Sequence, residues 1–178
     1  MRRLVLSLAM VVGACGGDST TGGKTFEEQF PTDNQVAGMT IDTSAGGLKL
    51  ALTTKAVQDL IDGAADPFTT AGFTEFGWQH YKVGGYAVDL QLWQMKDVAT
   101  GQSIYASLLT NSLYSSATWT DVSSIGDGAR IANTGTTWWV NAKKGAFHVQ
   151  AKINQLSATD QTARGHVIAL VTTVATGL

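Results

Sequence analysis

Two runs of alternating residues joined by Gly84-Gly85 constrain this chain more than any other feature. Phe73 to Lys82 reads as one strand, and Tyr86 to Lys96 returns with Val88, Leu90 and Leu92 on one side and Asp89 and Gln91 on the other. A period of two is the signature of a half-buried strand, and a Gly-Gly pair suits the tight turn of a hairpin. A lone two-stranded hairpin is marginal in water and needs further strands or a packed helix to be stable.

The flanking sequence supplies them. Val36 to Thr43 and Leu48 to Leu52 read as short strands, the second with its leucines at every other position. Thr53 or Thr54 caps a helix in which Val57, Leu60, Ile61, Ala64, Ala65 and Phe68 fall on one face at helical spacing, with Pro67 stopping it and Gly72 turning the chain into Phe73. Asp97 caps a second helix from about Val98 to Leu109, with Ile104, Tyr105, Leu108 and Leu109 buried. The Ser/Thr-rich stretch 111–124 reads as loop. Ala129 to Asn133 and Thr136 to Ala142 make a hairpin, and Ala146 to Asn154 follows the Lys143-Lys144-Gly145 turn. In that last strand Phe147, Val149, Ala151 and Ile153 are expected inward, with His148, Gln150 and Lys152 outward. Ser157 and Asp160 form a capping-box variant ahead of a closing helix whose face is Ala163, Val167, Leu170, Val171 and Val174. The order β-β-α-β-β-α-β-β-β-α predicts a single α+β domain, a mostly antiparallel β-sheet with helices packed on it.

The amino terminus is an export address. Arg2 and Arg3 precede an apolar run from Leu4 to Val12, too short to span the ~30 Å of a bilayer as a helix, and Val12-Gly13-Ala14 places small residues before Cys15. This resembles a bacterial lipobox. Residues 1–14 are then a lipoprotein signal peptide, Cys15 the lipid-attachment site, 15–25 a flexible tether rich in Gly, Ser and Thr, and 26–178 the folded domain. Cys15 is the chain's one cysteine, so no intrachain disulfide can form, and lipidation would occupy a thiol otherwise unpaired outside the cell. Gly16, rather than Asp, follows it, the default for the outer membrane in enteric-type bacteria.

Once these elements are placed, the chain resembles the DUF6599 family of uncharacterised bacterial proteins. The likeness rests on Leu60-Ile61-Asp62-Gly63-Ala64-Ala65 with Phe68 and Gly72-Phe73, on Leu90 to Met95, on Ser103-Ile104-Tyr105, on Ile125-Gly126-Asp127, and on Trp138-Trp139 with Phe147-His148-Val149. It covers roughly residues 27–175. Two positions depart: Gly101 and Ser103 precede Ile104-Tyr105 where the family has an Ala-x-Gly phrase, and Leu60 stands where an aromatic is often found. The resemblance implies a helix-covered antiparallel sheet and brings no activity, cofactor or catalytic residue.

Other chemistry is sparse. A formal net charge of −2, with no Lys/Arg stripe, gives no nucleic-acid footprint. Asp59, Asp62 and Asp66 at i, i+3 and i+7 would line one helical face, where a hard cation could be held, but a rigid helix wraps a cation poorly and a solvated acidic face is the simpler account. Asp62, beside Gly63, is the weak candidate among them. His80, His148 and His166 have no metal-ligand spacing, and no nucleophile elbow or phosphate loop is present. No cofactor and no metal is expected. Adjacent Trp138 and Trp139 must point to opposite faces of a strand, so one of them is a candidate ligand contact. The expectation is a lipid-anchored, membrane-tethered domain, non-enzymatic, that binds a partner protein or an apolar ligand; the alternative is a metal-dependent or hydrolytic enzyme built on Asp59, Asp62 and Asp66.

Overall fold

The computed structural model of the chain describes residues 23–108, 110 and 117–178, without the side chains of 63 and 64. The signal segment, Cys15 and the tether as far as residue 22 lie outside these, as do Leu109 and residues 111–116. In chain order the elements are β1 (Thr40–Ile41), β2 (Lys49–Ala51), α1 (Thr54–Ile61), a 3-10 turn (Asp62–Ala65), α2 (Asp66–Ala71), β3 (Phe73–Val83), β4 (Tyr86–Met95), α3 (Val98–Ser107), β5 (Trp119–Val122), β6 (Gly128–Asn133), β7 (Thr137–Lys144), β8 (Phe147–Asn154) and α4 (Gln161–Gly177). Among the described residues the eight strands form one sheet in the order β1-β3-β4-β8-β7-β6-β5, with β2 also on β3, and every pairing is antiparallel. The domain is α+β.

Both faces of the sheet are covered. On the first, α4 lays Ala163, Val167, Leu170, Val171 and Val174 against Leu90, Leu92, Val140, Val149, Ala151 and Ile153, with Phe30, Val36 and Met39 from the amino-terminal segment at its edge. On the second, the short helices place Val57, Ala65, Phe68, Ile104 and Leu108 over Phe76, Trp93 and Met95. The centre of that second core is aromatic: Phe68 stacks on Trp93 at 4.1 Å, and Phe76 and Phe73 pack on the same indole at 4.3 and 5.7 Å.

The double cover corrects several expectations. His148 and Gln150 are buried, not outward, because α2 and α3 close the face that an antiparallel sheet would otherwise leave to water. The helix expected from Thr54 to Phe68 is broken. Proline lacks an N–H and its ring clashes with the carbonyl four residues back, so Pro67 excludes a continuous α-helix through residue 63. The break falls upstream of it, at Asp62 with φ 54°, and Pro67 sits in the first turn of α2, where no N–H is needed. Pro67 therefore starts a helix instead of stopping one, while Gly72, in the left-handed conformation, makes the turn into β3 as anticipated. In β2 it is Ala51 that is buried, opposite Phe76; Leu50 and Leu52 are 46% and 69% exposed. Part of the stretch expected to be loop is a strand, β5. The cap of α4 is Asp160 itself, accepting from Ala163 N–H at 3.0 Å, and it also accepts from Leu156 N–H and the Tyr86 hydroxyl.

The Ile125-Gly126-Asp127 phrase acquires a structural reason here. Asp127 accepts from Gly145 N–H at 2.7 Å and from the Lys144 ammonium at 3.1 Å, while its own N–H donates to the Lys143 carbonyl at 2.8 Å. These bonds pin the β7–β8 turn and hold the carboxyl below its ordinary range, the Gly145 bond contributing most. Gly126 lets the strand pass close to that turn. A Cβ there would fall inside the van der Waals envelope of the Lys143 oxygen, at φ +54°, whereas a Cβ on Gly84, at φ +56°, meets nothing within 4 Å. Gly84→Ala should cost only the left-handed strain of about 1–2 kcal/mol, and Gly126→Ala should cost at least about 2 kcal/mol more in urea denaturation. Equal losses would show that the close approach carries no energy.

Candidate functional site

Antiparallel register places residues from successive strands side by side, so the second face can be read as rows running across the sheet. One row, Lys143–His148–Trp93–Phe76–Ala51, lies under the short helices. The next is Asp121–Arg130–Asn141–Gln150–Gln91–Trp78–Lys49. The third is Trp119–Ala132–Trp139–Lys152–Asp89–His80. The middle row is polar across four consecutive strands of the interior. That is unusual for a covered face and marks where chemistry sits.

At the end of the rows near β6, the interior is basic and poorly satisfied. Arg130 is 3% exposed. One guanidinium nitrogen, Nη2, donates to the Tyr105 carbonyl, the plane lies 4.2 Å over the Tyr105 ring and 5.6 Å from Trp119, and Nε has no partner among the described residues. Burial draws its pKa down. Among the described residues, fully buried Asn141 has neither end of its amide bonded, and fully buried His148 has neither ring nitrogen bonded, lying between Phe68 at 5.2 Å and Tyr105 at 6.4 Å. Desolvation, with Arg130 adding to it, pushes the His148 pKa from 6.5 to about 3, so the ring is neutral. Each such orphaned polar group costs on the order of 1–3 kcal/mol.

Toward β3 the same face opens into a cleft of about 210 Å³. Its floor is Gln91 and Asp89 from β4 with Gln150 and Lys152 from β8; Trp78 on β3 and Trp139 on β7 stand at the two sides; Ile61, the last residue of α1, closes over it. The four strands lie side by side in the order β3, β4, β8, β7, so the two indoles rise from strands roughly 14 Å apart at ~4.8 Å per strand, and from neighbouring rows. Charges on the floor are matched internally. Asp89 meets His80 Nδ1 at 2.5 Å through one oxygen and Lys152 Nζ at 3.1 Å through the other. Lys152 lies 5.8 Å over Trp139, Lys49 lies 4.7 Å over Trp78, and His80 packs on Trp78 at 4.7 Å.

Of the residues singled out from sequence, only Trp139 belongs to this cleft. Trp138 does point to the other face, where Nε1 donates to the Asp160 carbonyl at 2.9 Å and Arg164 covers the ring at 5.9 Å; it is a packing residue of the first core. Asp62 is exposed on the turn between α1 and α2. The helix break removes it from the periodicity that linked it to Asp59 and Asp66, and Asp59 is paired with Lys55 at 2.9 Å. Among the described residues no group of three or more His, Cys, Asp or Glu is placed to hold a metal ion. His80 shares the face of Phe76 and Trp78 as expected, and His166 is half-buried against Tyr86 at 5.7 Å. Gln91, Gln150, Asn141, Arg130 and His148 were legible only as outward-facing or incidental polar residues. The signal for Gln91, Gln150 and His148 was the run of alternate polar positions on β4 and β8, which reads equally well as a solvated face.

No family model matches the chain, and no curated protein matches it. Among solved structures it is similar to the extracellular domain of PknH from Mycobacterium tuberculosis, at 11% identity and a TM-score of 0.45, over 78% of this chain and 81% of that one.

The buried imidazole makes stability depend on pH with a definite sign. His148 titrates near 3 in the folded chain and near 6.5 when unfolded, so the unfolded state binds the extra proton between those values and stability is lost as pH falls. Between pH 6 and pH 5 the slope attributable to His148 should approach about 1.4 kcal/mol per unit. His148→Leu, which replaces the orphaned ring with an apolar group of similar size, should hold or raise stability at pH 7 and flatten that limb. An unchanged slope in the variant would assign the acid sensitivity elsewhere.

Proposed function

We propose that this chain is an exported binding domain, held at a membrane through lipid on Cys15, and that it takes an amphipathic ligand into the cleft between Trp78 and Trp139. The cleft carries the proposal: two indoles and Ile61 supply apolar surface while Gln91, Gln150, Asp89 and Lys152 supply directional polar groups on one floor, the composition expected of a ligand site. Support for export comes from Arg2-Arg3, the apolar run to Val12 and the small residues before Cys15. Among the described residues no helix is long and apolar enough to cross a membrane. The attachment proposed is the lipid on Cys15, at the outer membrane if Gly16 acts as in enteric-type bacteria. Kinship with DUF6599 belongs to the same proposal and would extend the cleft to those proteins.

No catalytic role is assigned to the cleft, because the charges on its floor are already engaged with one another. A carboxylate bonded through both oxygens, to His80 and to Lys152, is built to fix geometry.

Two measurements address the two halves. In a lipoprotein-processing bacterium, Cys15→Ser should move the chain from the membrane fraction to the soluble one, and unchanged fractionation would refute lipid attachment. For the cleft, native mass spectrometry and tryptophan fluorescence of the Cys15→Ser chain should reveal a bound or bindable small molecule whose signal is lost in Trp139→Ala and kept in Trp138→Phe, on the opposite face. A signal indifferent to Trp139 would remove the cleft from the function.

A further inference from the structure

We infer, from a part of the second face separate from the cleft, that the domain encloses a small monovalent anion held by Arg130 and Asn141 beneath α3. Charge comes first. Arg130 is 3% exposed, yet among the described residues it forms no ion pair with a carboxylate. Asp121 lies opposite it across β5 and β6 but is exposed, and the guanidinium reaches instead to the Tyr105 carbonyl and over the Tyr105 and Trp119 rings. Residues 109 and 111–116, outside the described ones, contain no Asp or Glu. Rings ease the desolvation of a cation without cancelling its charge. A histidine in such surroundings gives up its proton, as His148 does; an arginine cannot. A guanidinium this deeply buried therefore calls for a counter-ion. Lys143, 5.2 Å over the same Tyr105 ring and likewise in no ion pair among the described residues, adds to the positive potential.

Unused hydrogen-bond donors locate the ion. Arg130 Nε–H and the Asn141 amide have no partner among the described residues, and both are sealed from solvent. The two residues are directly opposed across β6 and β7, a pairing that sets Cβ atoms about 5 Å apart on one face. An ion between them accepts from Nε–H on one side and from the Asn141 NH₂ on the other. His148, the diagonal neighbour of Asn141 on β8, stands beside this pair and, being neutral, adds no charge to it. A water molecule in the same place would satisfy the donors and leave the guanidinium uncompensated, whereas an anion does both. The sealed setting limits the ion to the size of chloride or formate. One guanidinium matches one negative charge, so a dianion such as sulfate would exchange an uncompensated cation for an uncompensated anion.

The test is thermal unfolding of the Cys15→Ser full chain at fixed pH and ionic strength, with sodium chloride replacing sodium gluconate, whose bulky anion the site cannot enclose. Chloride should raise the melting temperature saturably, by about 3 °C or more, and formate should do the same. Arg130→Met, which keeps the apolar stem and removes the charge, should abolish the dependence. Asn141→Leu should raise the chloride concentration needed by about tenfold or more, and Asp121→Asn should leave the dependence in place. Crystals of the Cys15→Ser chain grown in bromide give a reading that needs no core substitution: anomalous diffraction should show bromide within hydrogen-bond distance of Arg130 Nε and Asn141 Nδ2. Water at that place instead of bromide, or a melting temperature indifferent to chloride, overturns the inference. Chloride dependence that survives Arg130→Met puts the ion elsewhere and overturns it as well. If chloride is without effect and Asp121→Asn sharply lowers the melting temperature, Asp121 is the counter-charge and the inference falls. None of these outcomes bears on the tryptophan-walled cleft.

Discussion

The pairing of β4 with β8 is the constraint on which the rest of this domain depends. It lies in the interior of the sheet order and joins the chain's two halves, setting Leu90 against Ala151 and Leu92 against Val149 on one face and Gln91 against Gln150 and Trp93 against His148 on the other. Side chains alternate with a period of two, so a slip of one residue would send the α4-facing aliphatics into the cleft and the amides into an apolar core. Burial of Leu90, Leu92, Val149, Ala151 and Ile153 under α4 opposes that slip. Each fully buried Leu, Val or Ile among them is worth about 1.5–3 kcal/mol. The apolar face therefore sets the register, and the register then presents a polar row on the opposite side.

What happens to that polar row is decided by the short helices, and so by Pro67. An uninterrupted helix from Thr54 to Phe68 would be a straight rod. Breaking it at Asp62 lets α1 end with Ile61 over the cleft while α2 begins again and delivers Phe68 onto Trp93. One part of the second face is thus sealed by aromatic stacking and the adjoining part is left open. The Leu60-to-Phe73 stretch is an architectural device: its aspartates face outward, and its contribution to the cleft is the position of an isoleucine.

Most of the framework could be read from the chain because it rests on local signals. Gly84-Gly85 with alternation on both sides defines the β3–β4 hairpin, and Asp97 accepting from Thr100 N–H at 2.7 Å caps α3 as its sequence suggests. What could not be read depends on what lies across a gap. The alternation His148-Gln150-Lys152 is the same whether that face meets water or α3, and only the tertiary cover distinguishes them. The leucines of β2 suggest an inward face, but opposite Phe76 the pairing puts Ala51 beneath α1. In β5, four residues in a Ser/Thr-rich setting carry too little pattern to announce a strand. The site suffers most from this ambiguity, since polar residues facing a cavity and polar residues facing solvent obey the same period.

The energetics of the second face argue that its polar residues were not selected for folding alone. A neutral histidine and an asparagine, both fully buried and unbonded among the described residues, each sit where a leucine or valine would fill similar space without a desolvation cost. The opposite face shows what the same strands do when stability is the only demand: Leu92, Val140, Val149 and Ala151 are apolar and fully buried. One sheet thus carries an optimised face and a compromised one, separated by the thickness of a single backbone. Natural chains tolerate unsatisfied buried polar groups mainly where those groups have other work. The compromise adjoins the tryptophan-walled cleft without lining it: Arg130 and Asn141 continue the row of Gln150 and Gln91, and His148 belongs to the neighbouring row sealed under α2 and α3.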